Sequence, residues 1–243
     1  MKNKIVAFVI AIFGALALSS PAAAQANAMN QIEAMSGWQV CSACAGVAGK
    51  GPVASYWLQQ HVGSPSMNGN SSQYHIGGSR PYADVLWHRD MIKNASVNNN
   101  THYLTYDAYF YVADSSAPQA IEFDLNQFVN GRSLIFGSQC NIRAGNHVDV
   151  WDNVHSRWIS TGIYCATPAA YKWHHWVLQV QRMPNNTLRY VSVTMDGQTH
   201  YINSYWASTG TGWTGITVNF QLDGNYRQQA YSVWVNKLTM RYQ

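Results

Sequence analysis

The 243-residue sequence has few charged residues: Asp, Glu, Lys and Arg together make up 11% of it, and its formal net charge is +4. It contains no basic stripe, which argues against nucleic acid as a partner. Asn, Gln, Ser, Thr, Tyr and Trp are abundant instead, so the chain offers many hydrogen-bonding groups and flat rings without strong charge. This composition suits neutral polyols better than polyanions.

After its first 24 residues the chain also lacks a long hydrophobic run, so we expect no membrane span. Residues 1–24 have the pattern of a secretory signal peptide. Two lysines begin it, the apolar run Ile5 to Leu18 follows, and small residues end it near Ala24. We therefore predict a secreted or periplasmic protein with no membrane partner.

The sequence has only four cysteines, and in an exported protein four cysteines usually form two disulfides. Cys41 and Cys44 lie in a Cys-x-x-Cys, while Cys140 and Cys165 flank a predicted hairpin with its turn at 152–153. That turn would place Cys140 and Cys165 opposite one another on paired strands. We favour 41–44 and 140–165 over the other two connectivities. A redox role for the Cys-x-x-Cys would need a βαβ context, which the pattern lacks.

No metal-binding motif accompanies the nine histidines. There is no H-E-x-x-H or comparable spacing. His174 and His175 are adjacent, so they face opposite sides of a strand and cannot easily bind one metal together. We predict no metal site from these residues.

The pattern shows no convincing amphipathic helix, linker or internal repeat. Short alternating segments separated by turn residues predict an all-β sandwich or jelly roll. Residues 25–52 are predicted as a leader with the Cys-x-x-Cys, and residues 53–243 as a single domain, which we expect to be a monomer. We interpret 94–101, rich in asparagine, as a loop. Asp196-Gly197 is the best hairpin signal.

The chain is organised around the segment Ala120–Phe128, where two sets of side chains alternate as in a strand with one face on a core. The apolar set is Ile121, Phe123 and Leu125. The polar set is Glu122, Asp124 and Asn126. Polar side chains along one strand face lie roughly 6–7 Å apart. Polar groups and aromatic rings on one sheet face suit a sugar chain, so we predict a glycan cleft.

Three cues between residues 100 and 243 carry a resemblance. Trp173-His174-His175-Trp176 opens a predicted strand, 193–197 (Val-Thr-Met-Asp-Gly) closes another, and 233–239 (Val-Trp-Val-Asn-Lys-Leu-Thr) lies near the C-terminus. This half of the chain resembles a concanavalin A-like jelly roll, a two-sheet antiparallel sandwich. The resemblance allows a structural Ca²⁺ held by oxygen ligands, although no loop carries a diagnostic ligand pattern. The chain is also similar to secreted bacterial proteins with a Cys-x-x-Cys near the mature start.

The sequence Glu122-Phe123-Asp124 resembles the catalytic strand of laminarinase- and lichenase-type endo-β-glucanases, which carries Glu-x-Asp-x-Glu or Glu-x-Asp-x-x-Glu. The resemblance implies that Glu122 is the nucleophile and Asp124 the helper residue. Asn126 and Gln127 stand where the second glutamate belongs, so the acid/base is missing. Retaining hydrolysis needs two carboxyl groups about 5–5.5 Å apart. Asp107 and Asp149, on the polar faces of other predicted strands, could replace the missing acid.

Three other interpretations stay open. Glu122 and Asp124 could only accept sugar hydroxyls or pair with an arginine, which would make the protein a non-catalytic lectin or a cell-surface interaction module. A polysaccharide lyase would move its proton with His or Tyr. Its candidate residues are His147, His175, Gln179, Arg143 and Tyr109.

Aromatic rings can cover the C–H face of a sugar. The candidate stacking platforms are Trp151, Trp158, Trp173, Trp206 and Trp213. Trp151 alone shares the polar side of its predicted strand with His147 and Asp149, so we select it.

The predicted site therefore has two groups of residues on one concave sheet, and its ligand is a polysaccharide or oligosaccharide. The catalytic candidates are Glu122, Asp124 and Asp149. The substrate-binding candidates are Asp107, Tyr109, Asn126, His147, Trp151, His175, Gln179, Asn219 and Gln221. The last two belong to a strand predicted over 215–222.

Overall fold

The computed structural model describes residues 26–41 and 54–243, and nearly all regular elements within these ranges are β-strands. The strands are β1 Asn27–Met29, β2 Gln39–Val40, β3 Ala54–Val62, β4 Ser71–Gly78, β5 Asp84–Ile92, β6 Tyr103–Val112, β7 Pro118–Val129, β8 Arg132–Phe136, β9 Ser138–Asn141, β10 His147–Asp152, β11 Arg157–Tyr164, β12 Trp173–Arg182, β13 Leu188–Met195, β14 Gln198–Trp206, β15 Thr209–Gly210, β16 Gly215–Gly224 and β17 Tyr231–Tyr242. A 3₁₀ turn covers Ile32–Ala34, and a short helix, α1, covers Ala95–Asn100.

The strands form two antiparallel sheets. The eight-stranded sheet has the order β14-β13-β12-β6-β17-β4-β3, with β1 beside β17. The nine-stranded sheet has the order β11-β10-β9-β7-β16-β5-β2, with β8 beside β7 and β15 beside β8. The predicted all-β, concanavalin A-like jelly roll is confirmed as a two-sheet antiparallel sandwich.

The core lies between the two sheets and includes the apolar side of β7. Ile121, Phe123 and Leu125 are fully buried. Phe123 stacks on Trp176 of the eight-stranded sheet, with ring centroids 4.9 Å apart. Each buried side chain of this size stabilises the fold by about 1.5–3 kcal/mol. Because strand side chains alternate, this burial directs the even-numbered residues of β7 to the outer face of its sheet.

The predicted hairpin at Asp196-Gly197 is confirmed. The two residues join β13 to β14, with φ values of 46° and 85°. Positive φ at both central positions is the requirement of a type I′ turn, and glycine meets it without a steric cost.

The segment 94–101, predicted as a loop, contains the helix α1. The Asn94 side chain accepts a hydrogen bond from Val97 N at 3.0 Å and so caps the helix. The Asn98 side chain donates to Phe128 O at 2.7 Å and ties the helix to β7. Asparagine is a poor helix former. These side-chain hydrogen bonds explain why the helix forms despite that preference.

The described part of the predicted leader is built into the sandwich. β1 pairs with β17, and β2 pairs with β5. Between them the buried Glu33 carboxylate accepts hydrogen bonds from Lys237 N at 2.8 Å and Leu238 N at 2.9 Å. Residues 27–40 therefore contribute strands to both sheets.

The predicted Cys140–Cys165 disulfide is present, with Cα atoms 5.8 Å apart. The expected geometry is wrong, because the two residues do not lie on paired strands. Cys140 of β9 pairs with Val148 of β10, whereas Cys165 follows β11 and donates its N–H to Asn146 O at 2.8 Å. The bridge thus spans the beginning of β10. The other predicted pair includes Cys44, which lies outside the described residues.

The disulfide suggests an oxidising compartment, as expected for a secreted or periplasmic protein. The predicted signal peptide, residues 1–24, lies outside the described ranges. Within those ranges no helix is long and apolar enough to cross a membrane.

Candidate functional site

Polar side chains cover the face of the nine-stranded sheet that points away from the core, which we call the polar face. In its middle, Glu122 of β7 lies between Gln221 of β16 and Gln139 of β9. Asp124 lies opposite Asn219 of β16. The principal side chains of the polar face are Glu122, Asp124, Asn126, Gln139, His147, Asp149, Trp151, Thr217, Asn219, Gln221 and Asp223.

The predicted site does not lie on one face. Eight of its twelve residues are on the polar face. The other four are on the outer face of the eight-stranded sheet, across the core: Asp107, Tyr109, His175 and Gln179. The expectation of a single cleft is therefore corrected. Alternation predicts which side chains of a strand leave the core, but it does not say which sheet the strand joins.

Three carboxyl groups form the centre of the polar face. The Gln221 side chain donates from Nε2 to Glu122 Oε1 and to Asp223 Oδ1, the latter at 2.9 Å. Glu122 and Asp223 thus accept from the same side-chain amide. Asp124 is next to Glu122 on the same strand face and accepts from Ser138 N at 3.0 Å.

Burial governs the protonation of this cluster. It raises the pKa of Glu122 well above its ordinary value, and the charges of Asp223 and Asp124 raise it further. Burial also raises the pKa of Asp124 to about 8 and that of Asp223 to about 6. At pH 7 burial therefore keeps Asp124 mostly protonated, and the same cause favours the protonated form of Glu122.

Asp149 organises a second group on β9 and β10. Its Oδ2 accepts from Gln139 Nε2 at 2.7 Å and from Asn141 Nδ2 at 2.9 Å. His147 Nε2 lies 2.9 Å from Oδ1. Asp149 is 2% exposed. Its Oδ2 has two donors, whereas its Oδ1, although close to His147 Nε2, has no hydrogen-bond partner among the described residues. The two bonds to Oδ2 suit Asp149 to holding Gln139 and Asn141 in position.

Trp151 is half-buried at the side of the polar face. Its ring meets that of Trp158 edge to face, with centroids 5.1 Å apart. A Cβ atom at Gly137 would lie 3.0 Å from Trp151 Cβ and 3.2 Å from the Trp158 ring, so the two tryptophans need glycine there. Trp151 thus has a defined orientation beside Asp149.

The side-chain oxygen of Asn126 is a buried hydrogen-bond acceptor without a donor among the described residues. The residue is 9% exposed, and in the described part of the chain no hydrogen-bond donor reaches its Oδ1. Its cross-strand neighbour Thr217 donates from Oγ1 to Asn219 Oδ1 at 2.9 Å. A buried carbonyl oxygen without a donor is costly, and a bound hydroxyl group would supply one.

Sequence reasoning missed Asp223 and Gln139. For Asp223 a signal was present, because the alternation of Thr217, Asn219 and Gln221 continues to it. The predicted strand ended at residue 222, two residues before the end of β16. Gln139 lies in a region predicted as one strand over 133–142, whereas the structure has two, β8 and β9. Odd-numbered residues face outward in both strands, because Ile135 lies opposite Asn126 and Gln139 opposite Glu122, so alternation offered a signal for Gln139 as well.

The four residues on the eight-stranded sheet have partners of their own. Asp107 accepts from Arg241 Nη1 at 2.8 Å, and His175 Nε2 lies 2.8 Å from its other oxygen. Burial alone would raise the pKa of Asp107, but these hydrogen bonds outweigh it and lower the pKa. The Tyr109 ring stacks on His175 with centroids 4.1 Å apart. Gln179 accepts from Ser192 Oγ at 2.9 Å.

Within the described residues no group of three or more His, Cys, Asp or Glu is arranged to hold a metal ion. The structural Ca²⁺ that the resemblance allows stays an expectation.

No family model and no curated protein matches the sequence. The structure is similar to the cellulose-induced protein Cip1, with 10% identity and a TM-score of 0.49 over 84% of this chain and 90% of that one. It is also similar to a Bacillus licheniformis β-glucanase, with 11% identity and a TM-score of 0.45 over 89% and 97%. Peanut lectin is 11% identical, with a TM-score of 0.43 over 90% of this chain and 99% of that one. At these values none of the three transfers a substrate or a residue role to this chain.

Proposed function

We propose that the protein binds a neutral polysaccharide or oligosaccharide along the polar face of the nine-stranded sheet. The observation that carries the proposal is the row of amides and buried carboxyl groups across β16, β7 and β9, together with Asn126 Oδ1, which no donor among the described residues reaches. Amides and carboxylic acids both donate and accept hydrogen bonds, as sugar hydroxyls do. The face therefore complements a polyol.

Charge supports a neutral ligand over an acidic one. Asp223 is mostly ionised at pH 7, and the nearby Glu122 and Asp124 become negative when they lose their protons. A uronate bound beside Glu122 and Asp124 would meet these charges. The lyase alternative loses support for a second reason: His175, Gln179 and Tyr109 are across the core from His147.

Glycoside hydrolysis is the second candidate, because Glu122 and Asp124 are adjacent carboxyl groups with raised pKa values. Burial raises the pKa of Glu122, which suits a general acid rather than the nucleophile that the resemblance implies. Hydrolysis also needs an ionised partner. With a pKa of about 8, Asp124 is mostly protonated at pH 7, and Asp223, whose pKa is about 6, already accepts the Gln221 side chain. Non-catalytic binding is therefore the function that we propose at neutral pH.

The test is calorimetric titration of the protein at pH 7 with β-glucan, xylan, mannan and, as an acidic comparison, alginate. Reducing ends are measured in the same samples. We expect binding heat with at least one neutral polymer, none with alginate, and no new reducing ends. Preferential binding of alginate would contradict the proposal.

Two other results would favour the alternatives. Absence of heat with every polymer would favour an interaction module that binds no soluble glycan. Release of reducing ends that increases between pH 7 and 9 and disappears in Glu122→Gln would favour the hydrolase.

A further inference from the structure

A pocket of about 370 Å³ continues the polar face beyond Asn126. Phe128 is the next outward residue of β7 and lines this pocket together with Thr217, the cross-strand neighbour of Asn126. From Glu122 to Phe128 there are six residues, or about 20 Å at the rise of a strand. We call this cavity the end pocket. It is continuous with the proposed glycan site.

An exposed tryptophan forms part of the end pocket. Trp213 is 64% exposed although it is among the largest apolar side chains. Its ring contacts that of Phe128, with centroids 5.6 Å apart and planes inclined by 60°. The contact supports Trp213 on one side and leaves most of the ring surface open. An open, supported ring is a platform on which the C–H face of a pyranose can stack.

The remaining polar groups of the end pocket leave little unbalanced charge. Asp90 pairs with Lys93, whose Nζ is 3.1 Å from Oδ2, and His88 Nδ1 lies 3.9 Å from Oδ1. Gln39 lies opposite His88 and adds an amide. The pocket therefore offers a ring, an amide, a hydroxyl and a compensated ion pair. These groups suit an uncharged sugar residue.

We propose that the end pocket is a subsite that binds one pyranose residue of the glycan stacked on Trp213, about 20 Å along β7 from Glu122. The inference rests on the proposed function, because the rest of the chain would occupy the polar face. It gives the bound glycan a direction along the strand. It also predicts that only oligosaccharides long enough to reach from the carboxyl groups to Trp213 bind with full affinity.

The experiment compares wild type, Trp213→Ala, Trp213→Phe and the control Trp57→Ala. Trp57 is also exposed, at 42%, but it stacks on His75 of the eight-stranded sheet. Each protein is titrated with oligosaccharides of two to six residues from β-glucan, xylan and mannan. Melting temperatures verify that each variant is folded.

Wild-type affinity should rise with oligosaccharide length. Trp213→Ala should lower affinity for the longest bound oligosaccharide about tenfold, equivalent to about 1.4 kcal/mol, and should leave the shortest unchanged. Trp213→Phe should retain most of the affinity, and Trp57→Ala all of it.

Two results would overturn the subsite while leaving the proposed function intact: unchanged affinity in Trp213→Ala, or an equal loss at every oligosaccharide length. If wild type binds no member of any series, both proposals fail.

Discussion

The polar face contains carboxyl groups whose burial favours the protonated form. An isolated carboxyl group ionises near pH 4, yet the pKa of Asp124 is raised to about 8 by burial. At neutral pH Asp124 and the neighbouring amides can therefore both donate and accept hydrogen bonds. At the scale of single residues, this is why we expect a neutral polyol as the ligand.

The same pKa values predict an unusual dependence of stability on pH. Asp124 and Asp223 have folded-state pKa values of about 8 and about 6, against an ordinary value of 3.8. Between these limits the folded protein binds more protons than the unfolded chain, so stability falls as pH rises. We expect a lower melting temperature at pH 8 than at pH 5.

Asp124→Asn isolates this effect, because an amide does not ionise. The variant should melt at a higher temperature than wild type at pH 8 and show a smaller difference at pH 5. His75, whose pKa is lowered by burial, acts in the opposite direction, but it contributes equally to both proteins. A melting temperature for Asp124→Asn below that of wild type at pH 8 would contradict the account.

Replacing Trp151 should reduce glycan affinity much more than it reduces the stability of the fold. The residue is half-buried and packs on Trp158 outside the core. We expect Trp151→Ala to weaken glycan binding about tenfold, or about 1.4 kcal/mol, with a small loss of melting temperature. Calorimetry and thermal melting of the same sample provide both values. A collapse of the melting temperature without a specific loss of binding would mean that Trp151 only supports the fold.

At the scale of elements, alternation within a strand predicts which side chains point away from the core. It does not predict which of the two sheets the strand joins. The polar residues of β7, β10 and β16 were predicted on outward faces and lie there. Those of β6 and β12 were also predicted outward, but these strands belong to the other sheet. The difference arises because strand order depends on contacts between segments far apart in sequence, which a period of two does not encode.

The Cys140–Cys165 disulfide connects the group of strands β9, β10 and β11. It closes a loop of 25 residues, for which chain-entropy models give roughly 3–4 kcal/mol of stabilisation. We expect Cys140→Ala with Cys165→Ala to lower the melting temperature. Glycan binding should also weaken, because β10 carries His147, Asp149 and Trp151. Unchanged binding in the folded double variant would show that the bridge does not influence the polar face.

The N-terminal segment should contribute to stability through Glu33. Its carboxylate is fully buried and accepts from Lys237 N and Leu238 N of β17. Glu33→Ala would leave both N–H groups without this acceptor, and we expect a loss of about 3 kcal/mol in the free energy of unfolding. Chemical denaturation measures it, with Glu33→Gln as the control that keeps one acceptor oxygen. Equal stability of wild type and Glu33→Ala would show that the segment is not anchored by this residue.

At the scale of the whole molecule, the sandwich has two outer faces with different chemistry. The nine-stranded sheet presents amides and buried carboxyl groups, whereas the eight-stranded sheet presents the Asp107–His175–Arg241 cluster and exposed aromatic rings such as Trp57. The sequence predicted the sandwich, the Cys140–Cys165 pair and most of the polar face. It could not predict the separation of the two faces or the carboxyl group of Asp223 beside Glu122, because both depend on how distant strands pair.

The most direct test of the central claim compares one amide on each face. Asn126→Ala removes an amide from the polar face, and Gln179→Ala removes one from the eight-stranded sheet. In the described part of the chain Asn126 Oδ1 has no donor, so its removal should not cost stability.

The two variants and wild type are titrated calorimetrically with the neutral polymer that wild type binds best. We predict that Asn126→Ala loses about tenfold in affinity, or about 1.4 kcal/mol, while Gln179→Ala binds like wild type. Loss of affinity in Gln179→Ala together with unchanged binding in Asn126→Ala would place the glycan on the opposite sheet and contradict the account.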